Sequence, residues 1–262
     1  MQAGDYRFFD TRFAAMAHRG GFLADADRAR ENTLYAFTRA VDYGYRYLET
    51  DAHVSADGVL FSFHDSTLDR VTDATGVPER LPWHVLQQAR VAGIDPIPTF
   101  DELLETLPTA RFNIDLKVPQ AIEPLVRTID AHNAYDRVCV GSFSSARIRT
   151  FRRLTGDRVA TAAGPLGVAW QAYAGPGRRI ARSAGVVLQI PARAWGDRVP
   201  VLSPGLIRTA HAAGRAVHVW TINDRAEMER LIDAGVDGLV SDRIEVLAQV
   251  LAGRGLWEHA DE

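Results

Sequence analysis

Four short stretches of this chain carry side chains that could do chemistry together. Ala-His-Arg-Gly-Gly at 17–21 offers His18 and Arg19, Glu-Thr-Asp at 49–51 offers Glu49 and Asp51, Phe-His-Asp at 63–65 offers His64, and Asp-Leu-Lys at 115–117 offers Asp115 and Lys117. Residues two apart on a β-strand face the same way, so Glu49 pairs with Asp51 and Asp115 with Lys117 on common faces. Three carboxylates brought to one place repel one another unless a cation lies between them, and an all-oxygen donor set selects Mg²⁺ or Ca²⁺ over softer metals. The alternative is that each acid simply pairs with Arg19, Lys117 or another base. A divalent ion beside Arg19 and Lys117 makes a field suited to an anion, most naturally a phosphate ester. Two histidines at its edge, His18 and His64, can take a proton from an attacking hydroxyl and give one to a leaving oxygen. The chemistry implied is phosphodiester cleavage.

Such residues must be delivered by elements, and the sequence alternates short apolar runs with helical patterns. FAAMAH, YRYLETD, RFNIDLKV, RVCVGSF, RVATAA, GVVLQIP, RAVHVWTI and VDGLVSD read as eight strands, with GVLFSFH as one extra strand forming a hairpin. Near-continuous apolar strands separated by helices indicate a parallel sheet covered on its outer face, and eight units over this length predict a TIM (β/α)₈ barrel. In that fold the strand C-termini build the site, which is where all four stretches fall. Glu31-Asn32-Thr33, Ser203-Pro204 and Asn223-Asp224 read as helix starts, and Gly44, Gly214 and Gly235 as stops. Asp242 reads as a cap for the last helix. Gly20 and Gly21 permit a tight turn after the first strand. His53, His84, His132, His211 and His218 read as structural. The stretch 66–108 breaks the rhythm with three Pro-bearing turns and reads as an insertion packed on a single barrel domain spanning 1–262.

The 262 residues are 47% hydrophobic and 24% charged, with a net charge of −3, an ordinary globular composition that offers no broad basic surface for nucleic acid. Cys139 is the only cysteine, so an intrachain disulfide is excluded, and its VCVGSF setting reads as buried strand. No signal-peptide pattern and no run near the ~18 apolar residues of a membrane span are present, so a cytoplasmic protein without stable membrane insertion is expected.

AHRGG, ENT, ETDAHVSADGVLFSFHDSTLDRVTDATG, NIDLK, VWTIND and GVDGLVSD, in that order, together resemble the glycerophosphodiester phosphodiesterase family across essentially the whole chain. The resemblance implies a metal-dependent barrel that hydrolyses glycerophosphodiesters, small-molecule substrates, to glycerol 3-phosphate and an alcohol. It implies His18 and His64 as the acid-base pair, Glu49, Asp51 and Asp115 as ligands of a divalent cation (Mg²⁺ or Ca²⁺), and Arg19 and Lys117 as phosphate binders. In the family's scheme the glycerol 2-hydroxyl attacks phosphorus, and a cyclic phosphate is then opened by water. Trp220 is a candidate aromatic wall for the substrate and Phe143 a weaker one. Two departures stand out. The third acid is more often glutamate, and aspartate at that place resembles the sphingomyelinase D-like phospholipases. The stretch FLADADRAR is longer than usual, has Arg30 where proline is common, and borders the mouth, where it can alter headgroup choice. The rival readings are a lysophospholipase D or sphingomyelinase D-like enzyme, which would want an apolar rim (Trp83, Val85 and Leu86 being candidates), and a non-catalytic phosphate-binding barrel. The leaving alcohol, the choice of metal and the number of subunits stay open.

Overall fold

A computed structural model describes residues 1–164, 185–194 and 199–258. Eight parallel strands form its central sheet: β1 (Ala14–Phe22), β2 (Tyr47–Val54), β4 (Arg111–Leu116), β5 (Val138–Gly141), β6 (Ala160–Thr161), β7 (Val187–Pro191), β8 (Ala216–Trp220) and β9 (Gly238–Arg243). A ninth strand, β3 (Leu60–Ser62), returns antiparallel along the end of β2. The order β6-β5-β4-β2-β1-β9-β8-β7 leaves β6 and β7 at the two ends of the path. A parallel bridge between Ala162 and Val187 joins those ends, with Ala163 N–H donating to Val187 O and Val186 N–H to Thr161 O, both at 2.8 Å. The sheet is therefore a barrel, and all eight expected strands and the extra one are in it. The helical segment expected between RVATAA and GVVLQIP lies outside the described residues.

The strands read as apolar because both faces are covered. All eight residues of β2 are buried. Helices α1 (Leu34–Asp42), α2 (Phe100–Thr106), α3 (Ile122–Ala131), α4 (Ser145–Thr155), α5 (Pro204–Ala212), α6 (Arg225–Asp233) and α7 (Ile244–Ala252) pack around the sheet. In α3 the buried Ile122, Leu125 and Ile129 recur at helical spacing. Starts follow the expected side chains: Thr33 accepts from Ala36 N–H, Ser203 from Leu206 N–H and Asp224 from Glu227 N–H. Inside the barrel, Phe8 from the N-terminal segment packs with Met16, Tyr47, Cys139, Val187 and Val240, filling the N-terminal end of the ring. Cys139 is fully buried, as its setting predicted.

The stretch after β3 has its own apolar cluster, in which Leu68, Leu86, Ala89, Val91 and Ile97 pack on Phe61 and Phe63. Its regular structure is slight, a two-residue ladder of Arg90–Val91 with Asp95–Pro96 and a single helical turn at Trp83–Leu86, before α2 resumes the barrel pattern.

Candidate active site

The C-terminal ends of β1, β2, β4 and β9 and the hairpin return place the charged residues of the mouth. At the end of β1 the chain turns sharply, with Arg19, Gly20 and Gly21 at φ 52°, 90° and 62°. A Cβ on Gly20 would stand 2.6 Å from that of Ala36, so only glycine lets α1 pack this close. The non-glycine Arg19 is strained by of order 1–2 kcal/mol in that region. The turn directs its N–H to Glu49 Oε2 at 3.2 Å.

His18 and Glu49 are register partners on adjacent strands, and His18 Nε2 lies 3.8 Å from Glu49 Oε2. The other ring nitrogen, Nδ1, is 2.6 Å from Asp242 Oδ1 on β9. Asn223 holds that carboxylate, donating from Nδ2 to Asp242 Oδ2 at 2.7 Å and accepting the Asp242 N–H at 2.9 Å. Asp242 is thus not a helix cap: α7 begins after Arg243 with no side-chain cap, and Asp242 serves His18 instead. Burial works against charge on His18, but Glu49 and Asp242 outweigh it and hold the imidazolium above its ordinary range. His64 is arranged similarly, with Nδ1 2.6 Å from Asp65 Oδ1, and Asp65 is in turn held by Arg70. Here burial dominates and pushes His64 below its ordinary range. Both rings therefore have Nδ1 committed to an aspartate, and neither Nε2 makes a hydrogen bond among the described residues.

Between them lie the carboxylates. Asp51 and Asp115 are register partners, and Lys117 Nζ stands between them at 2.9 Å from Asp51 Oδ1 and 2.8 Å from Asp115 Oδ2. Asn32 Nδ2 donates to Asp51 Oδ2 at 2.9 Å. Burial disfavours the Asp51 carboxylate, yet Lys117 and Arg19 overcome this and hold it below its usual range. Asp115 is moved the other way by burial, which Lys117 only partly offsets. Glu49, buried and beside Asp51, is pushed up to about 7. Arg19 Nη1 reaches Glu31 Oε1 at 2.9 Å, while its buried Nε, 3.4 Å from Asp51 Oδ2, makes no hydrogen bond among the described residues. Glu31 also accepts from Arg70 at 2.6 Å. Of the Glu-Asn-Thr triplet only Thr33 is the helix cap; Glu31 and Asn32 belong to the mouth.

The donors suit a hard divalent cation in kind: three carboxylates with no sulfur, and in Glu49 a buried acid that lacks the cationic partner Lys117 gives the other two. Among the described residues no three His, Cys, Asp or Glu side chains are drawn up around a common point; the Lys117 ammonium is the charge that separates Asp51 from Asp115.

Trp220 ends β8 and meets Phe143 edge-to-face, ring centroids 5.7 Å apart, with Phe143 66% exposed. The two aromatic candidates are thus neighbours. A cavity of about 450 Å³ opens beside His18, walled by Phe22, Asp25, Arg28, Glu31, Arg70 and Asp242. The stretch after HRG borders the mouth as expected. Arg30 anchors it, donating from Nε and Nη2 to Asp95 at 2.5 and 2.7 Å and lying 3.2 Å over the Tyr35 ring. His53 bonds Glu79 and approaches the His64 carbonyl, and His218 is fully enclosed, in line with structural roles.

The model of the glycerophosphoryl diester phosphodiesterase family matches residues 18–246, from the first mouth histidine to the last helix. The chain belongs to that family. It is a phosphodiesterase by that membership. A relative from Mycobacterium tuberculosis named as a glycerophosphodiester phosphodiesterase is 41% identical over 257 residues, 94% of this chain and 93% of the relative. Another so named, from Caldanaerobacter subterraneus subsp. tengcongensis, is 26% identical and aligns with 92% of this chain and 98% of its own length. Among solved structures, a phosphodiesterase of this type from Silicibacter pomeroyi superposes with a TM-score of 0.79 at 19% identity, covering 97% of this chain and all of that one. One from Oleispira antarctica, solved with its product sn-glycerol-3-phosphate, gives 0.75 at 24% identity, covering 91% and 96%. These likenesses confirm the barrel.

Proposed function

We propose that this enzyme hydrolyses glycerophosphodiesters to glycerol 3-phosphate and an alcohol, with His18 and His64 transferring protons on either side of the Glu49-Asp51-Asp115 cluster. The observation that carries the reading is the matched pair of histidines, each with Nδ1 fixed by an aspartate and Nε2 left over at the edge of one charged mouth. The product bound by the Oleispira antarctica protein is the one expected.

Glu49, Asp51 and Asp115 are the residues that would hold a divalent cation, which when bound would neutralise charge on the phosphoryl oxygens and favour ionisation of the attacking hydroxyl. Arg19 and Lys117, the two cations of the mouth, bind the phosphoryl oxygens. His64, neutral because burial disfavours its cation, accepts the proton of the glycerol 2-hydroxyl as that oxygen bonds to phosphorus. His18, kept cationic by Glu49 and Asp242, donates its Nε2 proton to the departing alcohol oxygen as the P–O bond breaks. Water then opens the cyclic phosphate with the two roles exchanged. Of the three insertion residues that a lipid-tailed reading would want at the rim, Leu86 is fully buried and Trp83 packs on Phe61 at 5.8 Å, leaving Val85 alone exposed.

Purified protein with glycerophosphocholine and Mg²⁺ or Ca²⁺ should release glycerol 3-phosphate, measured by a coupled dehydrogenase assay. A chelator should stop release, and added cation restore it. A substrate lacking the glycerol 2-hydroxyl should resist cleavage; turnover of that analogue at an undiminished rate would overturn the cyclic route.

A further inference from the structure

The cavity beside His18 has a charge arrangement that the proposed reaction does not use. Of its acidic and basic walls most are spoken for: Arg70 is paired with Glu31 and Asp65, Arg19 with Glu31 and Asp51, and Asp242 with His18. Two are not. Neither Asp25 nor Arg28 has a side-chain hydrogen bond or ion pair among the described residues, and both are exposed in the cavity wall. Asp25 opens and Arg28 caps one 3₁₀ turn, Asp25–Asp27, with Arg28 N–H donating to Asp25 O at 3.2 Å. Positions i and i+3 of such a turn lie one above the other, so the carboxylate and the guanidinium issue from the same edge without closing on each other. The turn is pinned at its end by the two Arg30–Asp95 bonds, so this edge is held against the cavity.

Building on the phosphodiesterase reading, we propose that this cavity is the subsite for the leaving alcohol, and that Asp25 and Arg28 fit it to a small zwitterionic headgroup of the α-amino-acid class, as in glycerophosphoserine. The ammonium would meet Asp25 and the carboxylate Arg28. The location agrees with the chemistry, since the cavity opens at one of the two mouth histidines and the glycerol half of the substrate carries no charge, so a free carboxylate and a free guanidinium in its wall find counterparts only on the alcohol side. An acyl tail would gain little from walls of this charge.

The test compares kcat/KM for three substrates with the same glycerophosphate half: the serine ester, the ethanolamine ester, which keeps only the ammonium, and the glycerol ester, which carries neither charge. The wild type should rank them in that order. Arg28→Ala should lower the serine-to-ethanolamine ratio about fivefold, the scale of one solvent-exposed ion pair, through KM. Asp25→Asn should lower the ethanolamine-to-glycerol ratio by about the same factor, again through KM. Equal wild-type constants for the three esters, or ratios unmoved in both variants, overturn the subsite. Failure of the wild type to cleave any of the three overturns the phosphodiesterase reading itself, and the subsite with it.

Discussion

At the scale of single residues, the two histidines differ in their surroundings, and that difference sets the pH profile. His64 is pushed below its ordinary range by burial, so activity that needs it neutral is lost only as pH falls through that lowered value. His18 is held above its ordinary range against burial by Glu49 and Asp242, so activity that needs its proton persists at neutrality and is lost as pH rises through the raised value. The kcat/KM profile should be a bell with these two limbs. His18→Ala or His64→Ala should slow turnover by roughly 10²-fold or more, and an unchanged rate would remove that ring from the reaction. Asp242→Asn should keep the ring in place while removing the charge beside it, so kcat falls about tenfold and the alkaline limb moves to lower pH. A profile that keeps its alkaline limb would leave Asp242 with a purely structural part. Little of this pairing was legible in the sequence. Asp242 lies 224 positions from His18, and an aspartate just before a helix reads as a cap unless the fold is known.

Elements account for why the residues themselves were legible. Period-two faces and strand ends locate His18, Glu49, Asp51, Asp115 and Lys117 without coordinates, because a covered parallel strand is apolar until it reaches the mouth. Loops carry no such periodicity. Arg30 replaces an expected proline, and only the structure shows its purpose, a two-bond link from the stretch after β1 to Asp95 on the insertion. Glu31 and Asn32 read as part of a helix start for the same reason, their partners Arg19, Arg70 and Asp51 being distant along the chain. Arg30→Ala should cost about 1 kcal/mol, since the pair is only partly shielded, and lower the melting temperature by about 2–4 °C in calorimetry. An unshifted transition would show that other contacts hold this stretch.

For the whole molecule, the barrel is plugged at the end opposite the chemistry. Phe8 is fully buried, its carbonyl accepts from the Tyr47 hydroxyl at 2.6 Å and from Arg111 Nη1 at 3.0 Å, and its ring packs edge-on against Tyr47. Phe8→Ala should destabilise by about 3–4 kcal/mol, read from denaturant unfolding, while each folded molecule keeps its kcat. A large loss of kcat in the folded fraction would mean that the plug and the mouth are coupled. The bond between β6 and β7 bears on the same separation. Among the described residues, one bridge and its two flanking amides hold that junction, whereas β2 and β4 share six register pairs. Thermal fluctuations should therefore loosen the hoop at its clasp first, with solvent deuterium reaching Ala163 and Val186 well before the amides of β2, so that the wall bearing the acids stays rigid while the far side breathes.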